Sequence, residues 1–134
     1  MARAGAHDVG FSPGGRRVWV TSGDRGRLAV YDTRRGEVVR LLDADAPPQH
    51  VTFGDGLAYV ASGDSAALRV HSLRDGAVRR TSAIPIGSYN VQFADARVLT
   101  PSLERGTLTV LSPTGAVLRR VRVAAAAHDA CVAG

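Results

Sequence analysis

The stretch FSPGGRRVWVTSGDRGRLAVYDTRRGEVV, residues 11–39, contains short apolar runs separated by turn residues. Its runs VWVTS and LAVYD are rich in Val, Leu and aromatic side chains, which favour strands. Gly and Pro lie between the runs, at SPGG and again in DTRRGE, and such residues mark hairpin turns. The stretch therefore predicts consecutive antiparallel strands and no helix.

The same pattern recurs along the 134-residue chain. Phe11, Phe53 and Phe93 end the matching segments HDVGF, QHVTF and YNVQF, at spacings of 42 and 40 residues (53 − 11 and 93 − 53). Turn glycines recur at a similar spacing, at Gly36, Gly76 and Gly115. A period of about 40 residues that holds four short strands is the unit of a β-propeller blade.

We therefore predict an all-β fold of four-stranded antiparallel propeller blades in an incomplete ring. The chain is predicted to be a single partial propeller, with blades at residues 7–49, 50–89 and 90–127 and the innermost strand of a further blade at 128–134. Three blades cannot close a ring, so apolar surface is left at both ends. We expect the chain either to be a fragment of a longer propeller or to complete a ring as a homo-oligomer.

Two of the predicted strands resemble the signature strand of the YVTN family of β-propeller repeats. The resemblance is carried by VWVTS at 18–22 and AYVAS at 58–62, each followed by Gly-Asp, and by the whole phrase at 11–39. Pro101 departs from this pattern, and we expect its strand to end or bulge there. The phrase VYDTRRGEVVRLL is also WD40-like, but the Gly-His and Trp-Asp signatures of WD40 repeats are absent.

The resemblance implies a non-enzymatic binding or scaffold module that uses the loop face of the blades for a protein or a small polar ligand. A fold alone does not license a more specific function. The alternative is a lactonase-like propeller hydrolase, in which polar side chains or a metal ion would face the central channel. No cofactor and no catalytic residue is assigned from the sequence.

Polar residues recur where the innermost strands begin. The candidate ligand-binding residues are His7, Asp8, His50, Asn90, His128 and Asp129, and Gln49 and Tyr89 occupy equivalent positions. Imidazole and carboxylate groups that converge on a channel suit a polar ligand or a metal ion. The alternative is that these side chains satisfy backbone groups at the strand starts.

A second set of recurring residues, Asp24, Asp64 and Glu104, lies in the turns between the second and third strands. These turns are predicted to share the face on which the innermost strands begin. The set could form an acidic rim on that face, or its members could cap the turns.

The composition limits the classes of partner that we expect. The net charge is +5, but the 17 basic residues are all arginine and are scattered, and only 5% of residues are aromatic. We expect no nucleic-acid partner, because such surfaces interleave basic and aromatic groups. No signal peptide and no membrane-spanning run is present, so the sequence assigns no localisation: the default is cytoplasmic, and the protein is exported if an N-terminal part is missing. Cys131 is the only cysteine, so no intramolecular disulfide forms, and we expect its thiol to be buried.

Overall fold

The computed structural model describes residues 6–22, 26–45, 47–131 and 133. These residues form three antiparallel sheets of four consecutive strands each, and no helix. The first sheet contains β1 (Ala6–Phe11), β2 (Arg17–Ser22), β3 (Arg27–Asp32) and β4 (Glu37–Asp43). The second contains β5 (His50–Gly54), β6 (Leu57–Ser62), β7 (Ala67–Ser72) and β8 (Val78–Ala83). The third contains β9 (Gln92–Ala94), β10 (Arg97–Pro101), β11 (Thr107–Leu111) and β12 (Val117–Arg122).

Each sheet is one blade of an unclosed ring, which confirms the predicted all-β propeller-like fold. The first strands of neighbouring blades approach each other, β1 to β5 and β5 to β9, so they are the innermost strands. We call the contact between blades one and two the first seam, and that between blades two and three the second seam. The predicted end of a strand at Pro101 is also confirmed, because β10 ends there.

A glycine closes the turn between the third and fourth strands of every blade. Gly36, Gly76 and Gly115 have φ angles of 70°, 77° and 89°. This left-handed conformation costs a glycine little and is strained for most other residues. The sequence prediction of hairpin turns at these glycines is confirmed.

Asp32 fixes the first of these turns. Its side chain is fully buried and accepts hydrogen bonds from the backbone N–H groups of Arg34 and Arg35, at 2.8 and 3.0 Å. The Arg17 guanidinium also donates to this carboxylate. The hydrogen bond from Arg35 is the largest cause that lowers the pKa of Asp32, so the ionised form holds the turn closed.

The first seam is packed around the single tryptophan. Trp19 is 1% exposed and belongs to a buried cluster in which Leu28 and Val30 of blade one pack with Val60 of blade two. The ring of Phe53 meets Trp19 edge-on, with centroids 6.0 Å apart. Burial of this apolar surface from both blades holds the seam together.

The second seam repeats this plan with different residues. Tyr59, Val70 and Val98 are fully buried in one cluster that spans blades two and three. The ring of Phe93 stacks on Tyr59 with centroids 5.7 Å apart. The Tyr59 hydroxyl donates to the backbone carbonyl of Pro113, so the tyrosine also ties its blade to a turn of the next one.

A glycine in the innermost strand makes room for the phenylalanine at each seam. A Cβ atom at Gly10 would lie 2.9 Å from the ring of Phe53, and one at Gly54 would lie 2.3 Å from the ring of Phe93. Any larger side chain would push the phenylalanine out of its place. These two glycines let neighbouring inner strands approach closely.

The linkers that leave the outermost strands begin along the same path. The backbone N–H groups of Ala44, Ile84 and Ala124 donate to the carbonyls of Gly26, Ala66 and Gly106, at 2.8, 3.0 and 3.2 Å. The third linker thus starts across its blade as the first two do. Within residues 123–131, however, no strand forms, in contrast to the strand predicted from residue 128. In the three blades, the innermost strand pairs with the second strand of its own blade, and residues 123–131 have no such partner among the described residues.

The outer faces of the first and third blades are open. On blade one, Val9, Phe11 and Leu41 are 57%, 64% and 64% exposed.

Cys131 is exposed, so the expectation of a buried thiol was wrong. It lies in the irregular segment after β12, which does not pack into a sheet.

Candidate functional site

Hairpin connectivity places the linkers and the turns between second and third strands at one end of the blades, which we call the loop face. The predicted polar residues of the first two blades meet there. Nδ1 of His50 lies 3.1 Å from Oδ2 of Asp8, and both side chains are about three-quarters buried, being 30% and 27% exposed. The Asp8 carboxylate also accepts from the backbone N–H of Val51, at 3.3 Å. The pair therefore links the innermost strands of neighbouring blades.

The predicted residues further along the chain form a second pair. The Asn90 amide donates to Oδ1 of Asp129 at 2.6 Å, although Asn90 is buried and Asp129 is exposed. Asn90 Oδ1 accepts from the N–H of Val91, and Asp129 Oδ1 from that of Ala130. This pair fastens the segment after β12 to the start of blade three.

The other two predicted positions do not join a pair that the structure describes. His128 is exposed, and the side chain of His7 lies outside the described residues. Within the described part of the chain, no group of three or more His, Cys, Asp or Glu side chains is arranged to hold a metal ion. In the same part, no helix is long and apolar enough to span a membrane.

Gln49 and Thr21 anchor the first linker. The Gln49 side chain is buried, and its Oε1 accepts from the backbone N–H of Gly63 at 2.7 Å. The buried Thr21 hydroxyl donates to the backbone carbonyl of Gln49 at 2.8 Å and accepts from the N–H of Asp8 at 3.0 Å. Sequence reasoning grouped Gln49 with the candidate ligands, but its geometry satisfies backbone groups.

Tyr89 brings the predicted acidic residues together. Its hydroxyl lies 3.0 Å from Oδ1 of Asp64 and 3.5 Å from Oε1 of Glu104, and we call these three residues the Tyr89 cluster. The hydrogen bond to Asp64 is the largest cause that raises the pKa of Tyr89, since it favours the protonated phenol. The tyrosine ring lies against Gly63, where a Cβ atom would be 2.4 Å from it. Asp24, the equivalent residue of blade one, lies outside the described residues.

The loop face thus carries two kinds of polar contact. The Asp8–His50 and Asn90–Asp129 pairs join consecutive segments of the ring, so their side chains bond within the protein. In the Tyr89 cluster, Asp64 and Glu104 are exposed, so their carboxylates are open to a partner from solvent. The recurrence of acidic residues at 40-residue intervals was the sequence signal for this cluster, whereas Tyr89 was grouped with the inner positions.

No protein-family model and no curated protein matches the sequence. Among solved structures, the chain is similar to Kuenenia stuttgartiensis hydrazine synthase, with a TM-score of 0.84 and 11% identity over 92% of this chain and 37% of that one. The computationally designed Ika4 protein gives 0.76 and 18%, over 94% of this chain and 78% of that one. Saccharomyces cerevisiae Sqt1 gives 0.78 and 15%, over 89% and 35%.

The chain thus spans little more than a third of the natural proteins that it matches. At such low identity, similarity in structure speaks only to the fold. The comparisons and the three four-stranded sheets together place the chain among β-propeller-like folds.

Proposed function

We propose that the chain is a non-enzymatic binding or scaffold module of the β-propeller type, with its recognition surface on the loop face. The observation that carries this proposal is the division of labour on that face. The inner polar side chains bond to each other and to backbone, whereas the carboxylates of Asp64 and Glu104 are exposed. The family resemblance to YVTN repeats supports the same function.

The Tyr89 cluster suits a cationic group on a protein or a small polar ligand. Two carboxylates held near one phenol hydroxyl can accept several hydrogen bonds from an ammonium or a guanidinium group. Both carboxylates stand on short turns between strands, so little conformational entropy is lost when they bind a partner. A rigid sheet that presents short loops is a common way to build a recognition surface.

A peptide array tests this proposal. The wild-type chain is expected to bind peptides enriched in Lys and Arg, and Asp64→Asn/Glu104→Gln should lower the affinity about tenfold, because charge-assisted hydrogen bonds are lost. The matched control is Asp55→Asn/Asp95→Asn, which removes the same charge from exposed turns at the opposite end of the blades. Asn tolerates the positive φ of these two positions, 51° and 49°.

Two results would contradict the proposal. One is a peptide profile that is the same in the loop-face variant and in its control. The other is sustained hydrolysis of an ester or lactone by the wild-type chain that disappears in His50→Gln, since this would favour the lactonase-like alternative.

We further propose that the open faces of the end blades are covered by blades of another copy of the chain. The exposed Val9, Phe11 and Leu41 on blade one support this, because a propeller normally buries such surface against the next blade. Mass measurement in solution should show a closed oligomer. A folded monomer that stays soluble at high concentration would contradict the proposal.

A further inference from the structure

A cleft of about 690 Å³ lies beside the second seam, away from the innermost strands. One wall is the linker between blades two and three, with Ile84, Pro85 and Ile86. The other wall is formed by the outer half of blade three and carries Arg105, Arg120 and Arg122. We call it the arginine cleft.

The charges of the arginine cleft are not balanced by acidic residues. None of the residues that line it is acidic, and within the described part of the chain Arg105 and Arg122 form no ion pair. Arg120 donates from Nε to the Thr109 hydroxyl at 3.2 Å, which leaves its positive charge unpaired. The Thr107 hydroxyl also lies in the wall, and its oxygen is buried with no hydrogen-bond partner among the described residues.

The first seam shows what such a surface binds when a carboxylate is available. There Arg69 of blade two donates from Nε and Nη2 to the two carboxylate oxygens of Asp45, at 2.8 and 3.3 Å. Asp45 belongs to the linker between blades one and two, and both side chains are about three-quarters buried. This forked geometry is the strong form of an arginine–carboxylate contact.

The second seam also has arginines, but it has no carboxylate at the position that corresponds to Asp45. Forty residues after Asp45 the linker has Pro85, and forty residues after Arg69 the strand has Thr109. Arg120 stands opposite Thr109 in the sheet, so its charge occupies the neighbouring strand of the same wall. Blade three therefore presents arginines to a linker that cannot neutralise them.

We propose that the arginine cleft binds an acidic segment of a partner polypeptide, whose carboxylate takes the place at blade three that Asp45 takes at blade two. A peptide fits better than a free anion because the linker wall, with Ile84, Pro85 and Ile86, is apolar and suits small apolar residues beside the acidic one. The cleft lies at the outer rim of the loop face, where Arg105 directly follows Glu104, but its charge is opposite to that of the Tyr89 cluster. An acidic ligand there goes beyond the cationic recognition proposed for that cluster.

Titration of the isotope-labelled chain with the peptide Leu-Asp-Ala-Asp-Ala, the sequence around Asp45, tests the proposal by NMR. With both peptides amidated at the C-terminus, we expect saturable shifts at Arg105, Thr107, Arg120 and Arg122, and affinity about tenfold weaker for Leu-Asn-Ala-Asn-Ala, which lacks the side-chain carboxylates. Arg120→Gln/Arg122→Gln should weaken binding by a similar factor. Arg97→Gln/Arg119→Gln, in the same blade, removes equal charge outside the cleft and should change the affinity less than about twofold.

Several outcomes would overturn the proposal. One is the absence of any saturable shift below about 5 mM peptide. Another is equal binding of the Asn peptide, a comparison that uses only the wild-type chain and so does not depend on the folding of a variant. Full binding by Arg120→Gln/Arg122→Gln would place the peptide elsewhere. If inorganic phosphate caused chemical-shift changes at the same residues with a higher affinity than the peptide, the cleft would be a site for free anions. By contrast, if Arg120→Gln/Arg122→Gln lost binding of the acidic peptide while its profile on the peptide array stayed unchanged, the proposal would be supported independently of the Tyr89 cluster.

Discussion

The two seams share a plan for packing but differ in polarity. Each buries an aromatic pair beside a glycine, yet the first seam also contains the fully buried His71 and the Arg69–Asp45 ion pair. At the positions 40 residues later, the second seam has the buried Leu111 in place of His71 and Pro85 in place of Asp45. In these repeats, therefore, the apolar clusters and the backbone hydrogen bonds recur while the charged groups differ. Sensitivity to salt and pH should therefore belong to the first seam.

His71 is the most sensitive group of that seam. Its Nδ1 lies 3.0 Å from the carbonyl of Gly76, so Nδ1 carries the hydrogen, and its ring meets Trp19 edge-on at 5.7 Å. Nε2 is buried without a hydrogen-bond partner among the described residues. Burial lowers the pKa of His71, because there is no room to solvate a second proton.

The largest effect should come from removing the aromatic side chain of the first seam. Trp19→Ala should cost about 3–5 kcal/mol, the usual range for a buried aromatic residue. In dilute solution, where no second copy covers the outer face of blade three, Leu99→Ala at the equivalent position should cost less than half of that, since Leu99 is only partly buried. Denaturant unfolding followed by circular dichroism measures both. Equal losses would show that the first seam is not packed as described.

Replacing the seam glycines Gly10 and Gly54 by alanine should lower stability more where the phenylalanine ring lies closer. Gly54→Ala should cost about 1–3 kcal/mol, because its Cβ would overlap the ring of Phe93. Gly10→Ala should cost less, since the nearest atoms are 2.9 Å away rather than 2.3 Å. Thermal unfolding compares the two variants. If Phe93→Leu fails to reduce the cost of Gly54→Ala, the clash with the ring is not its cause.

Asp45→Asn should lower stability by about 1 kcal/mol at low salt and less at high salt, because the forked contact to Arg69 is partly screened from water. Asp43→Asn is the matched control, since its contact with Arg27 is long, at 3.9 Å, and exposed. The control should change stability by no more than about 0.3 kcal/mol. Denaturation midpoints at two salt concentrations would contradict the account if both variants behaved alike.

His71→Leu should remove pH dependence rather than a fixed amount of stability. A histidine whose folded pKa is lowered contributes stability that is fully present above its unfolded value of about 6.5 and is lost as the pH falls below it. The wild-type chain should therefore lose stability between about pH 7 and pH 5, and the variant should lose less. Unfolding midpoints across this range test the sign. An unchanged slope in the variant would assign the dependence to other groups.

The sequence predicted the repeat and its four strands because alternating apolar runs and turn glycines are local signals. Phe11, Phe53 and Phe93 showed the period, and Gly36 showed the turn. The pairing of polar groups could not be predicted, because Asp8 and His50 are 42 residues apart and no local pattern says which neighbour each contacts.

The arginine cleft was missed for a related reason. The arginines are scattered along the sequence, and no local pattern groups Arg105, Arg120 and Arg122. Only the comparison of Asp45 with Pro85, once both linkers were placed against the next blade, shows that one seam lacks a carboxylate.

Hydrogen exchange, measured strand by strand, tests most directly the central claim that the first seam buries a histidine where the second seam buries a leucine. Each end blade has one seam within the chain and one outer face, whether or not another copy covers that face, so blade three is a fair control for blade one. On going from about pH 7 to pH 5, after correction for intrinsic exchange rates, protection in β2 and β3 should fall more than protection in β10 and β11. Equal loss of protection in the two blades, or a greater loss in blade three, would contradict the account.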